Sequence, residues 1–282
     1  MLSHHTFLIS HPQLDVELVN SKSTYCVCGC LILYLPVLMK RIPRFYKDVS
    51  VVLNSDTKKL NLLLDGKSVK TPLGEAFQLP SEPVAHAITT EWKHQGEFVV
   101  PNTMPMTTMM MTYIDIDSKI ERKSKLDQLN RFLMTDTIRY PHEDPESSLG
   151  KEQEAAWKPI LDLFESRYGV RISQSRGGFS LPPEASTEIQ QINEKILTEV
   201  RYDGLRLTIL ETAAKYLKSG SVGIALMEGF VDPETAFKAA FVEEIVQRRE
   251  WGEVEGDHDL GDAETMLWLH GVDVLNSAIV SD

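Results

Sequence analysis

The chain has 282 residues, 42% hydrophobic and 25% charged, the balance of a soluble globular protein with room for one large domain or two ordinary ones. A core of that size needs no disulfide or metal staple. The formal charge of −12 repels polyanions, which argues against nucleic acid as a partner and suits a partner with basic patches.

Residues 1–43 differ from the rest. All three cysteines, Cys26, Cys28 and Cys30, fall here, so no later part of the chain can form a disulfide, and a reducing compartment fits best. The C-x-C-x-C run leads into the apolar "LILYLP" and reads as an incidental thiol cluster rather than a metal site. Cys26 to Met39 is apolar but contains Pro36. At about 14 residues it is shorter than the roughly 20 that a membrane span needs, so no stable membrane insertion is expected. Lys40, Arg41, Arg44 and Lys47 then follow with no acid before Asp48, like the end of a mitochondrial presequence. Upstream, Lys22 stands nearly alone beside Asp15 and Glu17. Residues 1–43 are therefore expected to be a leader or targeting segment, disordered and dispensable for folding. The alternative is a chain start with no role.

From Val49 to about Leu79 the pattern is that of short strands. "VSVVL" and "LNLLL" flank the polar turn "NSDTKK", and Asp65-Gly66 is a hairpin signal because both turn positions need positive φ. A small antiparallel sheet is predicted. The period then becomes helical. Ser81 can cap a helix with Pro83 in its first turn, and Val84, Ile88 and Trp92 form a stripe at i, i+4, i+8. The Met-rich segment after "VVPNT" is expected to fill core gaps.

The second half predicts helices throughout. Ile120, Leu126, Leu129 and Leu133 mark one. Trp157, Ile160, Leu161, Phe164 and Tyr168 mark the next. Ile189, Ile192, Ile196 and Val200 mark a third, and Ile209, Leu210, Ala213, Ala214 and Leu217 a fourth. Ser221 is expected to cap a short apolar helix ending near Gly229. Asp232-Pro233-Glu234 starts a helix that is predicted to run to about Trp251. A last helix begins near Asp262, with Leu267 and Val274 facing inward. The fold class is α+β: a small N-terminal antiparallel β-rich domain over 44–117, then a larger all-helical domain over 118–282.

Motifs for chemistry are missing. There is no phosphate-binding glycine loop, no nucleophile elbow and no H-E-x-x-H. "EVEGDHDLGD" lacks the ligand alternation of a calcium loop. No catalytic residue, metal or cofactor is expected. One constellation stands out on the helix predicted from Asp232. Phe237, Phe241 and Trp251 share a face at 100° per residue, and Glu244 and Arg248 land in its middle. A buried unpaired carboxylate is costly. Either Glu244 and Arg248 pair at i, i+4 on the rim of the core, or a carboxylate framed by aromatics is presented to a partner. The second alternative makes Glu244, Arg248, Phe241, Glu243 and Trp251 candidate partner-binding residues.

The motifs occur in a recognisable order: "RFY" (Arg44–Tyr46), "LDGKSVKTP" (Leu64–Pro72), "LPS" (Leu79–Ser81), "EWKHQ" (Glu91–Gln95), "PNTMPMT", Asp115, "DTIRY" (Asp136–Tyr140), Trp157 with Pro159, and "EEIVQRREWGEVEGDHD". Together they resemble the assembly chaperone family of the mitochondrial ATP synthase F(1) sector, over about Arg44 to Leu275. Arg139 stands where members commonly carry a smaller residue. The resemblance implies a β-rich N-terminal part, a larger helical part, no catalytic activity and residence in the mitochondrial matrix or in bacteria. It also implies a monomeric binder of the unassembled alpha subunit that releases it to the beta subunit. Two alternatives stand beside it: a small-molecule enzyme using carboxylates around Glu91 or Glu244, and a structural subunit retained in a complex.

Overall fold

The structure, a computed structural model, describes residues 42–176, 182, 184–198, 202–252 and 258–280. Residues 1–41 with the three cysteines, Val200, and most of the acidic run after Gly252 lie outside these.

Ile42 and Pro43, grouped with the leader from sequence, form β1 (Ile42–Pro43), which pairs antiparallel with β6 (Phe98–Val99). The main sheet is built from β2 (Val49–Leu53), β3 (Leu60–Leu64), β4 (Lys67–Ser68) and β5 (Gln78–Leu79). β3 is central, and every pairing is antiparallel. The β2–β3 register, Val49 opposite Leu64 through Leu53 opposite Leu60, places Val49, Leu62 and Leu64 on the buried face. Asp65 and Gly66 take φ of 48° and 78°, the hairpin geometry expected of that dipeptide. The Asp65 carboxylate also accepts hydrogen bonds from the backbone N–H of Lys47 and Asp48.

One helix, α1 (Glu82–Lys93), lies over the sheet and buries Val84, Ile88 and Trp92. Ser81 occupies its N-cap position, but the hydroxyl makes no capping bond. Nine further helices follow among the described residues: α2 (Pro105–Asp115), α3 (Arg122–Met134), α4 (Ser148–Leu163), α5 (Ala185–Thr198), α6 (Gly204–Leu217), α7 (Gly220–Met227), α8 (Pro233–Ala240), α9 (Val242–Trp251) and α10 (His258–Val280). An antiparallel β-rich N-terminal part thus precedes a larger helical part. A π-helical turn, Phe164–Tyr168, extends α4. α7 is buried at every position, and with α6 it forms the centre of the helical body. Met104, Met109, Met110 and Met111 are buried as core filler. α10 packs on α1 and α2 as well as on α6, α7 and α8, so it spans both halves.

Several elements depart from the sequence expectations. Ile120 lies in the turn before α3 and is exposed. The inward position belongs to Lys125, a buried ammonium ion-paired with Asp117 and Glu211 and donating to Thr208 Oγ1 at 3.1 Å. Ser219, not Ser221, caps α7 by accepting from the Val222 N–H. The Ser221 N–H instead donates to Asp136 Oδ2 at 2.8 Å.

The helix expected from Asp232 to Trp251 is two helices. It breaks at Phe241, whose φ and ψ are −111° and 24°. The physical reason is registry. α8 buries Ala236, Ala239 and Ala240, whereas α9 buries Val242 and Val246. A straight 3.6-residue repeat cannot carry both sets on one line. On α10 the buried positions are Leu269, Val272, Leu275 and Asn276, and Leu267 and Val274 face outward.

Candidate client-binding surface

Several of the motif residues are interior fasteners. Arg44 donates through Nη1 to the Gln95 carbonyl at 2.7 Å, and the Tyr46 hydroxyl donates to the Trp92 carbonyl at 2.7 Å. Gln95 accepts from the Val100 N–H at 2.8 Å. Asp115 accepts from the Thr71 hydroxyl and the Leu73 N–H. Asp136, fully buried, accepts from Ser219 and Ser221 at the start of α7. Trp157 donates its indole N–H to the Ala239 carbonyl at 2.8 Å. Arg139, the residue that departs from the common pattern, is buried and paired with Glu188 at 2.8 Å.

Glu91, one of the two carboxylates of the enzyme alternative, is held by backbone donors. Its oxygens accept from the N–H groups of Met106 at 2.9 Å and Thr107 at 2.8 Å, at the first turn of α2. This is a helix cap supplied from a neighbouring helix. Burial pushes its pKa up to about 7, against the hydrogen bonds from Thr107 and Met106 that favour the charged form. An open groove of about 830 Å³ runs along α4 beside Phe230. Its charged side chains pair at the rim, Lys158 with Asp162 and Lys151 with Glu146, rather than converging on an interior point. Among the described residues no group of three His, Cys, Asp or Glu could hold a metal.

The candidate partner-binding residues fall on α9 and the break before it. Phe241 packs against Phe237, with ring centroids 4.8 Å apart, so both aromatics serve the α8–α9 corner. Trp251 does not join them. It is 79% exposed at the end of α9. Glu243 turns inward and accepts from Gln153 Nε2 at 2.8 Å. Gln153 in turn accepts from the His142 N–H. Burial first, then the neighbouring Glu244 charge, raises the Glu243 pKa.

Of the two alternatives for Glu244, the i, i+4 ion pair with Arg248 is not formed. The Arg248 guanidinium reaches Asp262 Oδ2 on α10 at 2.6 Å and makes only a 3.4 Å contact to the Glu244 backbone carbonyl. The Glu244 side chain is exposed, with no partner for its carboxylate among the described residues. Leu260, at the start of α10, is also exposed. No spacing rule singled out Leu260, which sits at the edge of the acidic run. Glu244, Trp251 and Leu260 lie on the two consecutive helices that the Arg248–Asp262 bridge ties together.

The body is a two-part α+β fold with an unpaired carboxylate at Glu244 and bare apolar side chains at Trp251 and Leu260 outside. Residues 43–165 match the model of the family described as ATP12 chaperone protein. The chain is 28% identical over 252 residues to "Protein atp12, mitochondrial" of Schizosaccharomyces pombe, covering 86% of this chain and 85% of that one. It is 26% identical over 278 residues to "Protein ATP12, mitochondrial" of Saccharomyces cerevisiae, with 83% of each covered. In structure it resembles a candidate chaperone from Agrobacterium tumefaciens, with a TM-score of 0.75 and 27% identity over 84% of this chain and 85% of that one. It also shares the fold of Atp12 from Paracoccus denitrificans, with a TM-score of 0.72 and 22% identity over 84% and 98%. The chain is thus similar in sequence to the ATP12 chaperones. Among the described residues no helix is long and apolar enough to cross a membrane.

Proposed function

We propose that the chain is an assembly chaperone of the mitochondrial matrix that holds the unassembled alpha subunit of the ATP synthase F(1) sector and releases it to the beta subunit. The likeness to proteins named mitochondrial ATP12 over more than four-fifths of the chain carries this proposal. A free subunit of a ring exposes an apolar interface that aggregates, and a holder needs an adaptable surface rather than a catalytic centre. Glu244, unpaired and exposed two turns before Trp251 on α9, is the first contact we assign to the client. Arg248 positions α9 against α10 through Asp262, while Phe241 and Glu243 shape the helix that presents Glu244.

The test follows light scattering of isolated alpha subunit as it unfolds, with and without the protein and with no nucleotide present. Suppression at near-stoichiometric ratio supports the proposal. Scattering that is unchanged, or suppressed only when the chain hydrolyses ATP, overturns it.

A further inference from the structure

The outer face of α10 has the composition of an interior. Leu260, Ala263, Leu267, His270, Val274 and Ser277 line the side turned away from the protein, and all are exposed. Leu260, Leu267 and Val274, spaced by seven, are 73%, 37% and 46% exposed. At 1.5 Å per residue these three span about 21 Å of helix. Between Leu260 and Ser277 the one exposed charged residue of α10 is Glu264, one turn after Leu260 at the edge of this face. A helix that faces water on one side ordinarily carries its charges there, and one that is apolar all round is covered. The opposite side of α10 is already occupied by Leu269, Val272 and Leu275 in the core.

The charges of α10 are one-signed. It carries Asp259, Asp262, Glu264 and Asp273, and no lysine or arginine. Arg248 neutralises Asp262. Asp259 and Glu264 are exposed and make no ion pair among the described residues. His270 leans to Glu234 on α8, at 3.4 Å.

We infer that the outer face of α10 is a docking seam for an amphipathic helix of the client, one that carries an apolar stripe flanked by lysines and arginines. This rests on the chaperone function proposed above. The seven-residue spacing, with the smaller Ala263 between Leu260 and Leu267 and Ser277 after Val274, suits a helix packed lengthwise with knobs between residues. The carboxylates choose its sign. They also reject a second copy of this chain, because two such faces would bring together only carboxylates within a dimer of net negative subunits.

The experiment uses the full chain and two probes: isolated alpha subunit, and a synthetic 18-residue helical peptide with a leucine stripe flanked by lysines. A peptide of the same composition with the stripe scrambled is the reference. Leu267→Lys and Val274→Lys, singly and together, place like charge in the seam. Val52→Lys, an exposed apolar position on the sheet, is the control, and each variant is melted to show that it folds. The seam predicts that the striped peptide binds the wild type at least tenfold more tightly than the scrambled one. The double variant should lose this preference, the control should keep it, and added salt should weaken it. Equal peptide affinity for wild type and folded double variant overturns the seam, whatever the alpha subunit does. Peptide binding with no capture of alpha subunit by the wild type leaves the seam and removes the proposed function. A wild-type dimer that Leu267→Lys splits, or a seam that binds peptide only after residues 1–41 are removed, names another occupant and also overturns the inference.

Discussion

Two buried residues of the "EWKHQ" segment set the N-terminal part. Trp92 is fully buried, stands edge-on to Tyr46 at 5.5 Å and receives the Tyr46 hydroxyl on its carbonyl. Replacing it with alanine removes the ring but leaves that bond, so the loss is one of packing. Trp92→Ala should cost about 3–5 kcal/mol, read as a lowered melting temperature, and a variant that melts with the wild type would show the cavity to be tolerated. Glu91 makes a different prediction. Its folded-state pKa of about 7 lies above the ordinary 4.5. A raised carboxyl pKa means that the folded protein binds more protons than the unfolded chain across that interval. The contribution is fully present below about pH 4.5 and is lost as pH rises through about 7. Glu91→Gln removes this titration and puts an amide in place of one acceptor of two backbone N–H groups. Its deficit against the wild type should be largest at acid pH and shrink toward neutral, and the Glu91-dependent fall between pH 5 and 8 should be absent. Urea titrations of both proteins at three pH values measure it, and equal slopes would count against the buried cap.

The elements show which parts of the fold are legible from sequence and which are not. The Asp65-Gly66 hairpin, the stripe of α1 and the Asp232-Pro233 start of α8 follow from local chemistry, and all are present. The break at Phe241 and the rotation of α10 do not. Each depends on which neighbour the helix meets, and a window of periodicity cannot see the neighbour. Leu267 and Val274 look inward by composition alone, while the actual buried line of α10 is set by its contacts with α6 and α1 and by its contact with α2. Gly271 makes that contact possible. A Cβ placed there would lie 2.6 Å from Pro105 Cγ, a rigid ring at the start of α2. Gly271→Ala is therefore expected to destabilise the protein by about 1–3 kcal/mol through overpacking, despite the better helix propensity of alanine. A calorimetric melt decides the sign, and stabilisation would mean that α10 rides more loosely on α2.

At the scale of the whole molecule, recognition of the fold and recognition of a partner are separated. Arg44, Glu91, Gln95, Asp115 and Asp136 fasten the body from inside, so the motifs that reveal the family are silent about the surface. Glu244, like Trp251, lies in a family-like stretch and still faces water. The chain was open to two outcomes there: an internal ion pair, or a free carboxylate. Arg248 has chosen Asp262, so the first is gone, and Arg248→Ala becomes a test of α9–α10 alignment rather than of Glu244 itself. Glu244→Gln keeps the shape and removes one exposed charge. Fold and melting temperature should stay within the range of surface substitutions, about 0.5 kcal/mol, while capture of alpha subunit weakens. Glu244→Lys should weaken it further, because a cation then faces the basic surface that a chain of net charge −12 is suited to meet. Arg248→Ala should lower capture less than Glu244→Lys, since the carboxylate remains. Pull-down of alpha subunit by each folded variant, at low and at physiological salt, separates these cases. Wild-type capture by folded Glu244→Lys would remove Glu244 from the contact and leave the apolar side chains of α10 to account for binding.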